Sequence, residues 1–195
     1  MDVKKEESMW NKVMRGMNAA VASVDPREKI RLRRSFGDTF TEADPDAKVI
    51  FYSHIPENII FYEDEFGDTQ RDIWFFGMCL WAFQDGMGEQ KFQEILSIYY
   101  NDKDTSEAQK AKLRALLTYR MDDTGRVIHY LVKMIKMFYH SNKKKYQIYL
   151  NRKISVISLM TDLMYWNEEN RSPAIFRWAN TIARARKEEG REEND

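Results

Sequence analysis

The 195-residue chain is poor in the residues that most often build metal sites, cross-links and tight turns: it has one cysteine, three histidines, four prolines and eight glycines. The single cysteine, Cys79, excludes an intrachain disulfide and a multi-thiolate metal site, and points to a reducing compartment. His54, His129 and His140 stand in no His-x-x-x-His or Glu-x-x-His spacing, so zinc or di-iron ligation has no support. No Gly-x-x-x-x-Gly-Lys-Ser/Thr, Gly-x-Gly-x-x-Gly or Gly-x-Ser-x-Gly motif occurs, and with these go the usual signatures of phosphate-loop, dinucleotide and hydrolase sites. The expectation is a protein that is not an enzyme and carries no cofactor. No apolar run approaches the ~20 residues of a membrane span. The opening Met1-Asp2-Val3-Lys4-Lys5-Glu6-Glu7 has no apolar stretch behind it, which leads us to expect a cytoplasmic protein without membrane contact. Net charge is also lacking: 31 Lys and Arg balance 31 Asp and Glu, which excludes a polycation that coats any polyanion.

What the chain does have is apolar and aromatic content, 43% and 13%, enough to bury a core. Apolar residues recur at helical spacing and nothing alternates with period two. This predicts an all-α fold, a helical bundle of about eight helices in two packed subdomains (1–104 and 105–186) followed by a charged tail (187–195). Trp10, Val13, Met14, Met17, Val21 and Val24 form a first stripe. Asp25-Pro26-Arg27-Glu28 supplies an N-cap acid, an N1 proline and an N3 glutamate for a helix carrying Ile30, Leu32 and Phe36, closed by Gly37. Asp44-Pro45 starts another, and residues 57–70 read as a loop. The run from about Asp68 to Gln84 is apolar nearly all round and predicts the central element. Ser106-Glu107-Ala108-Gln109 reads as a capping box, and three further helices follow: one carrying Val127 to Phe138, one carrying Leu150 to Met164, and one from Ser172-Pro173 whose end frays after Arg186.

The zero net charge conceals segregation. Between Gly37 and Gln70 nine acids face one base, Lys48, for about −8; between Lys110 and Lys153 twelve bases face Asp122 and Asp123, for about +10. The second block is as basic as many nucleic-acid-binding segments. Arg126, Lys133 and Lys136 flank the apolar stripe of one helix, and Lys143-Lys144-Lys145 occupies the connection after it. Arg31, Arg33 and Arg34, with Arg171, Arg177, Arg184 and Arg186, could extend this into a phosphate-binding surface. The opposite arrangement is also open, in which the acidic block folds over the basic one and neutralises it. Asp162 beside Trp166 reads as a buried partner for an arginine such as Arg177, and Met134, Met137, Met160 and Met164 as adaptable core.

The basic helix Lys29-Ile30-Arg31-Leu32-Arg33-Arg34 is followed by Val49-Ile50-Phe51-Tyr52-Ser53-His54-Ile55-Pro56, then by Leu113-Arg114-Ala115-Leu116-Leu117, Leu131-Val132-Lys133-Met134-Ile135-Lys136, Asp162-Leu163-Met164-Tyr165-Trp166 and Arg177-Trp178-Ala179. In this order and spacing, over roughly residues 28 to 185, the sequence resembles the CasB family, the small subunit of the type I-E CRISPR surveillance complex Cascade. It departs from the family pattern in Asn180-Thr181-Ile182 after Ala179, where an acid and aromatics are more usual, and in a longer acidic loop and tail. The resemblance implies an all-helical, non-catalytic subunit whose partners are other Cascade subunits, a second copy of itself, CRISPR RNA, the target DNA strand and the displaced strand, and whose basic residues stabilise the R-loop. By the resemblance, Arg33, Arg34, Lys133, Lys136 and Arg171 are nucleic-acid-binding. Charge segregation alone adds Arg114, Arg120, Lys143 and Lys144. The competing reading is a free-standing helical interaction module whose acidic segment binds a basic partner.

Overall fold

Eight consecutive buried positions, Ile73 to Leu80, call for an element surrounded on every side. The computed structural model, which describes residues 8–63, 65–117, 124–166 and 173–192, places them in α4 at the centre of an all-α fold. The chain order is α1 (Met9–Ala22), α2 (Pro26–Arg34), α3 (Pro45–His54), α4 (Glu65–Gln84), α5 (Phe92–Asn101), α6 (Glu107–Leu116), α7 (Thr124–Tyr139), α8 (Lys144–Leu150), α9 (Val156–Met164) and α10 (Pro173–Glu192). Helices α1, α2, α7 and α9 pack on α4, α3 packs on α2, α8 on α7, and α10 on α5 and α9. Packing therefore runs across residues 104 and 105. Among the described residues no helix is long and apolar enough to cross a membrane.

Local chemistry explains the starts. Asp25 and Glu28 form a reciprocal capping box at α2, Ser106 and Gln109 another at α6, and Asp44 caps α3 ahead of Pro45. At the crossing of α4 and α9, Gly77 leaves room for the Met160 side chain, whose Sδ would have to shift to admit a Cβ there.

Several expectations are corrected. The acidic stretch read as loop already turns helical at Glu65. On α1 the buried seam is Val13, Gly16, Met17 and Ala20, while Trp10 and Met14 stay exposed, because the helix meets Trp74 of α4 through its small residues. Met137, read as core, lies exposed on α7. The single helix expected from Leu150 to Met164 is two. Lys153 adopts a left-handed φ of 55°, the chain at Ile154 runs beside Gln90, and Ser155 caps α9 afresh. The last helix runs on to Glu192, through the segment read as a fraying tail.

That break is held by Gln84, the last residue of α4 and 5% exposed. Its Nε2 donates to Gly86 O (2.8 Å) and Ile154 O (2.6 Å); its Oε1 accepts from Ile154 N–H (3.0 Å) and the Tyr139 hydroxyl (3.0 Å). Every hydrogen-bonding position of the amide is used. Gln84→Ala should therefore cost about 3 kcal/mol, because it strands buried donors and acceptors on two other segments; a chemical-denaturation midpoint measures it. Burial pushes the Tyr139 phenol up to about 12 from 10, against a smaller pull from the Ile154 backbone. Its folded pKa lies above the unfolded one, so stability should fall as pH rises between 10 and about 12, with burial and Asp102 moving Tyr146 the same way. Tyr139→Phe should flatten that fall in denaturation curves taken across the range.

Candidate nucleic-acid interface

The last turn of α2 carries Arg31, Arg33 and Arg34, where the negative end of the helix dipole favours cations. Leu32 is fully buried, which turns Arg33 and Arg34 outward. Arg33 Nε donates to Ala82 O (3.1 Å) at the end of α4, and Arg31 pairs with Asp46 across 3.4 Å. Among the described residues the Arg34 side chain has no ion-pair or hydrogen-bond partner.

Helix α7 arrives beside it. Val127, Ile128, Leu131, Val132, Met134, Ile135 and Phe138 face the core, so Arg126, His129, Lys133, Lys136 and His140 are left on the exposed side. Their spacing of three, four, three and four is one face of a helix, about 21 Å long at 1.5 Å per residue. Lys136 lies over the Phe36 ring, 5.5 Å from its centroid, and Phe36 in turn stacks on Phe83 at 4.5 Å. Phe83 meets Tyr139 edge-on at 5.2 Å. This aromatic column joins the end of α2 to α7 and brings Arg33 and Lys136 onto one side of the molecule.

The end of α4 beneath them collects further cations. Lys153 Nζ donates to Asp85 O (2.5 Å), and Lys29 pairs with the Asp85 carboxylate while lying 4.5 Å from the Trp81 ring centroid. The hydrogen bond and charge of Lys29, helped by Lys153 and Arg33, hold the Asp85 carboxyl below its ordinary value. Asp38, nearer Lys136, moves the other way: burial and Glu42 raise it more than Lys136 lowers it. Four cations, Lys29, Arg33, Lys136 and Lys153, are thus set around Asp85 and Asp38, with Glu42 beside Asp38.

Other sequence candidates lie elsewhere. Lys143 is the N-cap residue of α8 and Lys144 its first residue, not a connection. Lys143 Nζ reaches Asp102 (3.1 Å) and Asp104 (2.7 Å), and Asp102 is buried and also accepts from the Tyr146 hydroxyl (2.9 Å). Arg114 donates to the Tyr100 hydroxyl (2.8 Å) and pairs with Glu107 (3.6 Å), at the edge of a cleft of about 570 Å³ lined by Leu113, Leu117, Ala179, Ile182 and Ala183. Lys144 is exposed. Arg120 and Arg171 lie outside the described residues. Arg177 pairs with buried Asp162, whose other oxygen accepts from Trp178 Nε1 (2.7 Å), as the sequence led us to expect. Lys110, Arg114 and Lys143 of the basic block pair with Glu107, Asp102 and Asp104, acids outside the acidic block.

Sequence reasoning did not bring Lys29, His129, His140 or Lys153 to the site. The three-four spacing of residues 126 to 140 was present in the sequence for the histidines. Nothing local pointed to Lys153, whose place follows from the left-handed turn.

No protein-family model matches the chain, and no curated protein does. Among solved structures it is similar to the crystal structure of CasB from M. ruber, with a TM-score of 0.58 and 18% identity over 94% of this chain and 97% of that one. The fold is CasB-like.

Cations tied to buried acids and cations facing solvent should separate in a melting experiment. Lys143→Ala should lower the melting temperature by leaving the buried Asp102 carboxylate short of its counter-ion, whereas Lys133→Ala should leave it unchanged.

Proposed function

We propose that this chain is a non-catalytic small subunit of a type I-E CRISPR Cascade complex, and that its α2–α7 face tracks a nucleic-acid backbone to stabilise the R-loop. The supporting observation is the stripe Arg126, His129, Lys133, Lys136 and His140, alongside Arg33 and Arg34, on a CasB-like fold. Lysine and arginine contacts to phosphate give sequence-independent, salt-dependent affinity. That suits a subunit which leaves base reading to the guide RNA. R-loop formation exchanges one duplex for another of similar stability, so a few backbone contacts can tip it. The balanced net charge fits the same role, because a chain of no net charge is drawn to polyanion only where it presents its basic side.

In this reading the partners are other Cascade subunits, a second copy of the chain, CRISPR RNA, the target strand and the displaced strand. Arg33, Arg34, Lys133 and Lys136 make the phosphate contacts. Arg114 and Lys143 serve the fold, since their charges already meet Tyr100, Glu107, Asp102 and Asp104.

The test is target-DNA binding by the assembled complex across a salt series. Lys133→Glu with Lys136→Glu should weaken binding at least about tenfold and make the log–log salt dependence shallower by about 2, one phosphate contact for each lysine. The subunit should still incorporate. Unchanged affinity and slope would refute the assignment.

A further inference from the structure

The acidic side of the molecule carries apolar surface that its core does not use. On α3, Val49 and Tyr52 are one turn apart and 65% and 53% exposed. In the segment that follows, alternate residues turn in and out: Phe61 is half-buried and stacks on Phe51 (5.9 Å), while Ile60 and Tyr62 on either side are 65% and 63% exposed. The two segments share one ring cluster, for Tyr52 meets Phe40 edge-on at 5.3 Å and Phe51 at 5.4 Å, Phe40 and Phe51 lie 5.4 Å apart, and Phe51 is the ring on which Phe61 stacks. Single exposed apolar residues need no explanation, but a group of this size on one cluster marks a contact surface.

Charge identifies what would cover it. Residues 49–70 contain no lysine or arginine, and Glu42, Asp44, Asp46, Glu57 and Glu63 are exposed before, between and just after the apolar positions. Such a rim repels phosphate and attracts cations. The cluster already accepts cations from within the molecule: Arg71 lies 4.9 Å and Lys48 5.7 Å from the Phe40 ring centroid. The chain's own outward stripe on α7 is basic but offers one exposed large hydrophobic, Met137, and so lacks the apolar side chains needed to meet four.

We propose that the face formed by Val49, Tyr52, Ile60 and Tyr62 docks a basic amphipathic helix of a protein partner, its apolar residues on the four side chains and its Lys or Arg residues over the tyrosine rings and the acidic rim. This face is separate from the α2–α7 surface and does not depend on the reading given to that surface.

The probe is a fluorescein-labelled helical peptide of leucine and lysine, apolar on one side and cationic on the other, titrated with the full chain by fluorescence anisotropy. Tyr52→Ser and Tyr62→Ser should together weaken binding by about tenfold or more, as expected of aromatic anchors. Because Tyr52 also packs on Phe40, Val49→Arg and Ile60→Arg, which replace exposed side chains and remove no ring of the cluster, serve as a second pair; they should weaken binding to a similar extent with an unchanged melting temperature. Lys133→Glu should leave peptide binding intact. Three results would each overturn the proposal: no binding of the peptide, or binding indifferent to both pairs of substitutions; a dimer in sedimentation that Val49→Arg dissolves, which would make a second copy the occupant; or a single-stranded oligonucleotide held by the same side chains.

Discussion

One buried amide sets the geometry on which the basic face depends. Gln84 closes the central helix, receives the hydroxyl of Tyr139 from α7 and holds both backbone groups of Ile154 from a segment seventy residues away. An amide buried at that point without partners would cost as much as several good contacts contribute. With all its positions used it has one arrangement, and three segments are fixed by it. Arg33 reaches the same helix end through Ala82 O, and Lys153 through Asp85 O. Lys136 and Tyr139, three residues apart on α7, flank the Phe36–Phe83 stack. The polar knot is internal, but it decides where the surface charge stands.

The same logic divides the cations into two populations. A carboxylate taken out of water is stable only with a counter-ion and hydrogen bonds, so Asp102 and Asp162 each claim a base: Lys143 with the help of Tyr146, and Arg177 with the help of Trp178. Bases on helices whose buried face is wholly apolar meet no such claim. Lys133 and Arg34 are of this kind, and they point into solvent because Leu131, Val132, Met134 and Leu32 point away from it. The acidic segment exposes aromatic and branched side chains, the basic helix exposes little but charge, and the two surfaces suit partners of different chemistry.

Much of the fold was legible because its causes are local. Capping boxes at Asp25 and Ser106, the proline at Pro45 and the unbroken apolar run of α4 act over one or two turns and survive in the final structure. The break between α8 and α9 was not legible, since Leu150 to Met164 has continuous helical spacing and only Gln84 and Gln90, distant in sequence, make the extended path worthwhile. The rotated seam of α1 has the same origin: Trp10 and Met14 are as apolar as Val13 and Met17, but Trp74 fits only against Gly16.

What the sequence by itself determined is the helical class, the central helix and the segregation of charge into an acidic and a basic stretch, because helix periodicity and charge order are properties of neighbouring residues. Which cations face outward together, and which are consumed by buried acids, only the tertiary structure decided. The physical reason is that a charge is free or engaged according to what lies within a few ångströms of it, and for Lys143, Arg177 and Lys153 those atoms belong to segments far along the chain or on another helix.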